Sequence, residues 1–148
     1  MVDVIPPFTS NLGKRLVKTP KVYICDTGLK CALLGIKSFD DLYAHPAFGE
    51  CWEQMILTNV RDLYPDADVS FYRTASGAEM DFVVTRQGKT VSLGCKASTA
   101  PSVTKGIYSA LDAIRPDAAY VVAPIGETYA LNDRITAIPL SGLKDILA

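Results

Sequence analysis

The sequence predicts a single mixed α/β domain, and three observations lead to it. A helical apolar stripe runs over residues 48–63; three strand-like runs with short turns between them come next; a second amphipathic stretch then leads into AAYVVA, which is apolar throughout. Helix, three strands, helix, strand is the order of a mixed α/β layer. The 148 residues, 49% hydrophobic and 21% charged, suit one domain, and a chain of that length buries roughly 70% of its unfolded surface.

The first twenty residues read as a basic extended arm, because Pro6-Pro7 prevents helix and favours an extended entry. Lys14, Arg15, Lys18 and Lys21 fall within eight residues with no acid among them. Such a cluster suits contact with nucleic-acid phosphates, and equally a plain basic surface. The domain proper is expected over 21–148. KVYIC (21–25) reads as a strand, Asp26 or Thr27 caps a short helix through GLKCALLG, and Gly35 stops it. Ser38 opens a short turn, SFDDLY. Over 48–63, Phe48, Trp52, Met55, Ile56, Asn59 and Leu63 keep helical spacing, and Leu57 and Val60 widen the stripe.

DVSFYRT (68–74) alternates as a strand, ASGA turns the chain, and AEMDFVVT is a second strand. Gln87-Gly88 makes a tight turn into a third, KTVSLGCK. Pro101 and Ser102 open a helix with Val103, Ile107, Leu111 and Ile114 on one face, closed by Pro116. AAYVVA lacks alternation and is expected to be buried on both sides. Two short strands about Asn132-Asp133 and a small helix from Ser141 complete the chain.

Composition excludes several classes. No apolar run approaches the ~20 residues of a membrane helix, and MVDVIPPF lacks the features of a secretory signal, so a cytoplasmic location is expected. Cys25, Cys31, Cys51 and Cys95 contain no CxxC pair and have no histidine at ligand spacing, which argues against zinc and for reduced thiols. His45 is the only histidine and precedes a proline in an expected loop, so Ser-His-Asp and Cys-His catalysis have no second candidate. There is no GxxxxGK[ST] phosphate loop. Net charge is −1, without the overall positive field of dedicated nucleic-acid binders, but it is uneven. Residues 41–82 hold eight acids and two bases, between ends in which bases predominate.

The acidic middle contains the candidate chemistry. With Gln87-Gly88 as a two-residue hairpin loop, Asp81 falls opposite Gly94 and Glu79 opposite Lys96. Alternation then projects all four from one face and sends Met80, Phe82, Leu93 and Cys95 to the other. Metal-dependent phosphodiester cleavage needs oxygen ligands for the cation and a base or cation to position water. Asp81 and Lys96 supply part of that set, and Gly94 leaves a carboxylate position empty. Glu79 suits an ion pair with Lys96. Glu53 has Gly49, Ile56, Leu57 and Val60 as helix neighbours, so this carboxylate on an apolar face needs a partner: a metal, Lys96 or Arg73.

The segments PPFTSNLGKRLVKTPKVYICDTGL, GECWEQMI, FYRTASGAEMDFVV and VSLGCKAS resemble the domain of unknown function found C-terminal to the ATPase module in a group of prokaryotic AAA-type proteins. That family is similar to the PD-(D/E)XK nucleases. The resemblance implies a restriction-endonuclease-like mixed sheet flanked by helices, with core order αβββαβ. It matches Asp81 to the metal-binding aspartate, Lys96 to the motif lysine and Glu53 to the glutamate of the first core helix. Asp81 and Glu53 would be the metal ligands, for Mg or Mn if the domain is catalytic. Gly94 departs from the family, standing where the glutamate of Glu-x-Lys is usual. The resemblance also implies an N-terminal ATPase module with its winged helix, absent here, so that Met1 would open a fragment.

Three readings are expected from this. The first is a nuclease-like domain with a degenerate metal site that binds nucleic acid or serves regulation. The second is a working Mg- or Mn-dependent nuclease completed by Glu53 or Glu79. The third is an interaction scaffold. The partner is DNA or RNA for the first two, and the ATPase module or a second copy of the chain for the third.

Overall fold

The computed structural model describes residues 2–9 and 18–148. Two sheets form. Strands β1 (Val2–Ile5) and β2 (Lys21–Ile24) make an antiparallel ribbon in which Val4 pairs with Val22. Two short helices, α1 (Thr27–Leu33) and α2 (Phe39–Ala44), lead into α3 (Phe48–Leu63). Asp26 caps α1 by accepting the Leu29 N–H, and Ser38 caps α2 by accepting that of Asp41.

Strands β3 (Asp68–Arg73), β4 (Glu79–Arg86) and β5 (Lys89–Cys95) form the expected meander. Arg86 pairs with Lys89 across Gln87 and Gly88, whose φ angles of 51° and 80° are those of a two-residue turn matching the strand twist. Helix α4 (Lys105–Ile114) carries the chain to β6 (Ala118–Val122), parallel to β5. The helix begins at Lys105 rather than at the expected Pro101. Strands β7 (Tyr129–Ala130) and β8 (Thr136–Ile138) and a 3-10 helix over Leu140–Asp145 follow. The second sheet is six-stranded and mixed, in the order β3-β4-β5-β6-β8-β7.

Each face of this sheet is covered. Trp52, Ile56, Leu57 and Val60 of α3 pack on Val69, Phe71, Phe82, Val84, Val91 and Leu93, and the Trp52 indole donates to the Val122 carbonyl. On the other face, Ile107, Ala110, Leu111 and Ile114 of α4 pack on Tyr72, Met80, Val83, Ala119 and Val121. Each buried Ile, Leu or Phe in these layers contributes about 1.5–3 kcal/mol. Gly106 lets α4 approach closely, since a Cβ there would lie 2.5 Å from the Gly77 carbonyl oxygen. No helix among the described residues is long and apolar enough to cross a membrane.

One irregularity shapes the site. Ser70 pairs with Val83, but Tyr72 pairs with Met80, so Phe71 on β3 faces both Asp81 and Phe82 on β4. The extra residue is a β-bulge, which turns two consecutive side chains toward one face. Phe82 joins the α3 side, Met80 and Val83 lie on the α4 side, and Asp81 points with Phe82 toward α3.

Candidate functional site

Strand β2, helix α3 and the bulge of β4 converge on one small cluster. Lys21 leads β2, and its ammonium lies 3.1 Å from Glu53 Oε1 and 3.9 Å from Asp81 Oδ1. Tyr23, two residues on and therefore on the same face of β2, donates its hydroxyl to the same Glu53 oxygen. Asp81 Oδ2 accepts the Cys95 backbone N–H at 2.7 Å, so the carboxylate takes over where the β4–β5 pairing ends at Phe82 and Leu93. The Phe71 ring lies 5.5 Å from the Lys21 ammonium, and the Tyr23 ring packs on Phe82.

The cluster is desolvated. Side chains of Lys21, Glu53 and Asp81 keep only 16%, 21% and 18% of their accessible surface. Burial first, and then the Glu53 charge, push the Asp81 carboxyl up to about 6, against the opposing Cys95 N–H and Lys21. Burial and the hydrogen bond to Glu53 raise the Tyr23 phenol, which stays protonated. Burial, with Asp81 and Glu53 adding to it, holds the Cys95 thiol well above its ordinary range, so it is a thiol and not a nucleophilic thiolate.

The structure changes several sequence expectations. Glu53 does need a partner, but its partners are Lys21 and Tyr23, not Lys96 or Arg73. Glu79 pairs with Arg73 at 2.8 Å instead of with Lys96, because the two are register partners across β3 and β4. Lys96 follows the last residue of β5, donates its N–H to Val122, and makes no ion pair among the described residues. Gly94 does not share a face with Asp81. A Cβ there would meet Val121 and Ile107 on the α4 side, because the bulge moves Asp81 out of simple alternation. It is Cys95 that shares the α3 side with the carboxylates. Lys21 belongs to this cluster and not to an exposed basic surface; Lys18 is exposed, and Lys14 and Arg15 lie outside the described residues. His45 holds a loop, its Nδ1 accepting the Ala47 N–H.

Tyr23 is the residue that sequence reasoning missed, and Lys21, read there as a phosphate contact, is instead the partner of Glu53. Their signal is an inverted strand: in KVYI the apolar Val22 is exposed while Lys21 and Tyr23 point inward. A lysine directed at the interior implies a buried carboxylate.

The donor set does not fit the divalent cation that the resemblance implies. Two carboxylates can hold Mg or Mn when water completes the shell. Here both already face one ammonium, and no group of three or more His, Cys, Asp or Glu among the described residues is placed to hold a metal. A doubly charged ion within about 4 Å of that ammonium would be repelled by roughly 8 kcal/mol at an effective dielectric of about 20. What the cluster does offer is a cation held by a shared anionic pair.

Comparison with known proteins places the chain among domains without an assigned role. The profile of the domain of unknown function DUF4143 matches residues 48–143, and that of the domain of unknown function DUF8612 matches residues 1–40. An uncharacterized protein of Mycobacterium tuberculosis, Rv2008c, and one of Mycobacterium bovis, Mb2031c, are each 32% identical to the chain over 139 residues. The match takes in 94% of this chain and 32% of each relative, so the chain spans about a third of their length. No solved structure matches it.

Proposed function

From a chain that belongs to the DUF4143 family, we propose a nuclease-like domain of the PD-(D/E)XK kind whose metal site is degenerate, serving nucleic-acid binding or regulation of an attached ATPase module. The observation that carries this reading is the Asp81–Glu53 pair, set at the end of the central meander and bridged by Lys21. The position is the one a cleavage site of this kind would use, and the ammonium takes the place of the catalytic ion. The restriction-endonuclease-like assignment is supported by the order α3, β3, β4, β5, α4, β6 with a parallel β5–β6 pair. Contact with nucleic acid falls to Lys14, Arg15 and Lys18, since Lys21 is engaged.

The test is binding of DNA and RNA at several salt concentrations, with Mg or Mn added to look for cleavage. Binding should fall steeply with salt, without strand scission. Replacing Lys14, Arg15 and Lys18 by Gln should reduce the log–log salt slope by up to about 3. Cleavage that disappears in Asp81→Asn would instead make this an enzyme.

A second reading, an interaction module, is favoured by the exposed stripe of Val2, Val4 and Val22 on the ribbon and by the greater length of the relatives. Salt-insensitive or undetectable nucleic-acid binding would select it.

A further inference from the structure

Gly94 lies on the other face of the sheet and does not decide what occupies the space between Asp81 and Glu53. Lys21 does. Its ammonium is within 3.1 Å of one carboxylate and 3.9 Å of the other, is mostly buried, and is delivered by a ribbon that belongs to a different sheet from the strand carrying Asp81. Among the described residues, Lys21 is the cation within 4 Å of these carboxylates: Tyr23 and the Cys95 thiol are neutral, Arg73 is engaged by Glu79, and Lys96 forms no ion pair with either carboxylate.

We propose that the Lys21 ammonium is the resident cation of the Asp81–Glu53 pair and excludes divalent metal, and that neutralising this lysine converts the pair into a divalent-cation site. The chemistry follows from charge and donor type. Two carboxylates beside a single ammonium have their charge partly met by it; without it a divalent ion can take both, displacing the proton that Asp81 then holds more tightly in a partly desolvated recess. Hard oxygen ligands of that kind take Mn or Mg with water filling the other positions. The inference rests on the nuclease-like reading only for the choice of metal.

The experiment is a titration of the full chain with Mn²⁺, following the free-ion electron paramagnetic resonance signal, with near-UV circular dichroism to verify fold. Wild type and Lys21→Arg should leave the ion free, whereas Lys21→Met should bind one ion at least tenfold more tightly than wild type. Adding Asp81→Asn to Lys21→Met should abolish that binding. Lys21→Gln, which keeps a donor for Glu53, replaces Lys21→Met if the latter loses its fold. One tight ion in wild type, lost in Asp81→Asn, would overturn the proposal, as would a folded neutral variant that binds none. No nucleic acid enters the measurement, so absence of nucleic-acid binding would defeat the proposed function and leave this inference standing.

Discussion

The two sheets of this protein are built on opposite rules. In the six-stranded sheet, apolar residues such as Val83, Val84, Val91 and Leu93 are fully buried between α3 and α4. In the ribbon, Val2, Val4 and Val22 face outward, while Asp3, Lys21 and Tyr23 turn toward α3. Burial holds the first. The second is fastened by Lys21 and Tyr23 on Glu53 and Asp3 on Arg61, by the buried Ile5 and Tyr23, and by backbone hydrogen bonds from Phe8 to Phe71 and from Phe71 to Pro6. The candidate site lies where the two meet, with Asp81 supplied by the sheet and the Lys21 cation by the ribbon.

The sharpest way to break this contrast is to put a charge where only burial operates. Gly94→Glu should destabilise the protein by about 3–5 kcal/mol, because its carboxylate would enter the apolar layer of Val121 and Ile107 with no partner. Gly94→Ala should be nearly neutral, as its Cβ meets those side chains at ordinary contact distances of 3.5 and 3.6 Å. Urea denaturation midpoints would separate the two outcomes. A tolerated glutamate would mean that Gly94 opens toward the carboxylates after all.

A smaller effect of opposite sign is expected at the junction. The Asp81 carboxyl, lifted to about 6, binds its proton more readily folded than unfolded. Stability linked to it is therefore full below the ordinary carboxylate range near pH 4, and is lost as pH rises to and through about 6. Asp81→Asn should accordingly be more stable than wild type at pH 7, on the order of 2–3 kcal/mol, and equal to it below pH 4. Smallest is the ribbon's outer fastening. Asp3→Asn should cost about 0.5 kcal/mol, and less in high salt, because Arg61 and Asp3 are partly exposed at 36% and 27%.

Local patterns made much of the sheet legible in advance. The Gln87-Gly88 turn sets the β4–β5 register through Arg86 and Lys89, and the apolar spacing from Phe48 to Leu63 marks α3 with the same bounds. Two features of the site were not legible. A bulge adds one residue without disturbing composition, so simple alternation placed Asp81 with Gly94 and separated it from Phe82. The pairing of Lys21 with Glu53 spans 32 residues and joins a strand to a helix, beyond the reach of any periodicity. Glu53 itself was visible as a carboxylate on an apolar helix face, and the inward lysine and tyrosine of KVYI were its complement.

Whether Asp81 lies desolvated beside Glu53 and Lys21 is read from titration of the Asp81 side-chain carboxyl carbon by nuclear magnetic resonance in the intact protein. A midpoint of about 6 is expected, the value to which burial and the Glu53 charge lift it. A midpoint in the ordinary aspartate range near 4 would overturn this, since burial and the Glu53 charge would then fail to outweigh the Cys95 N–H and Lys21 at this carboxyl.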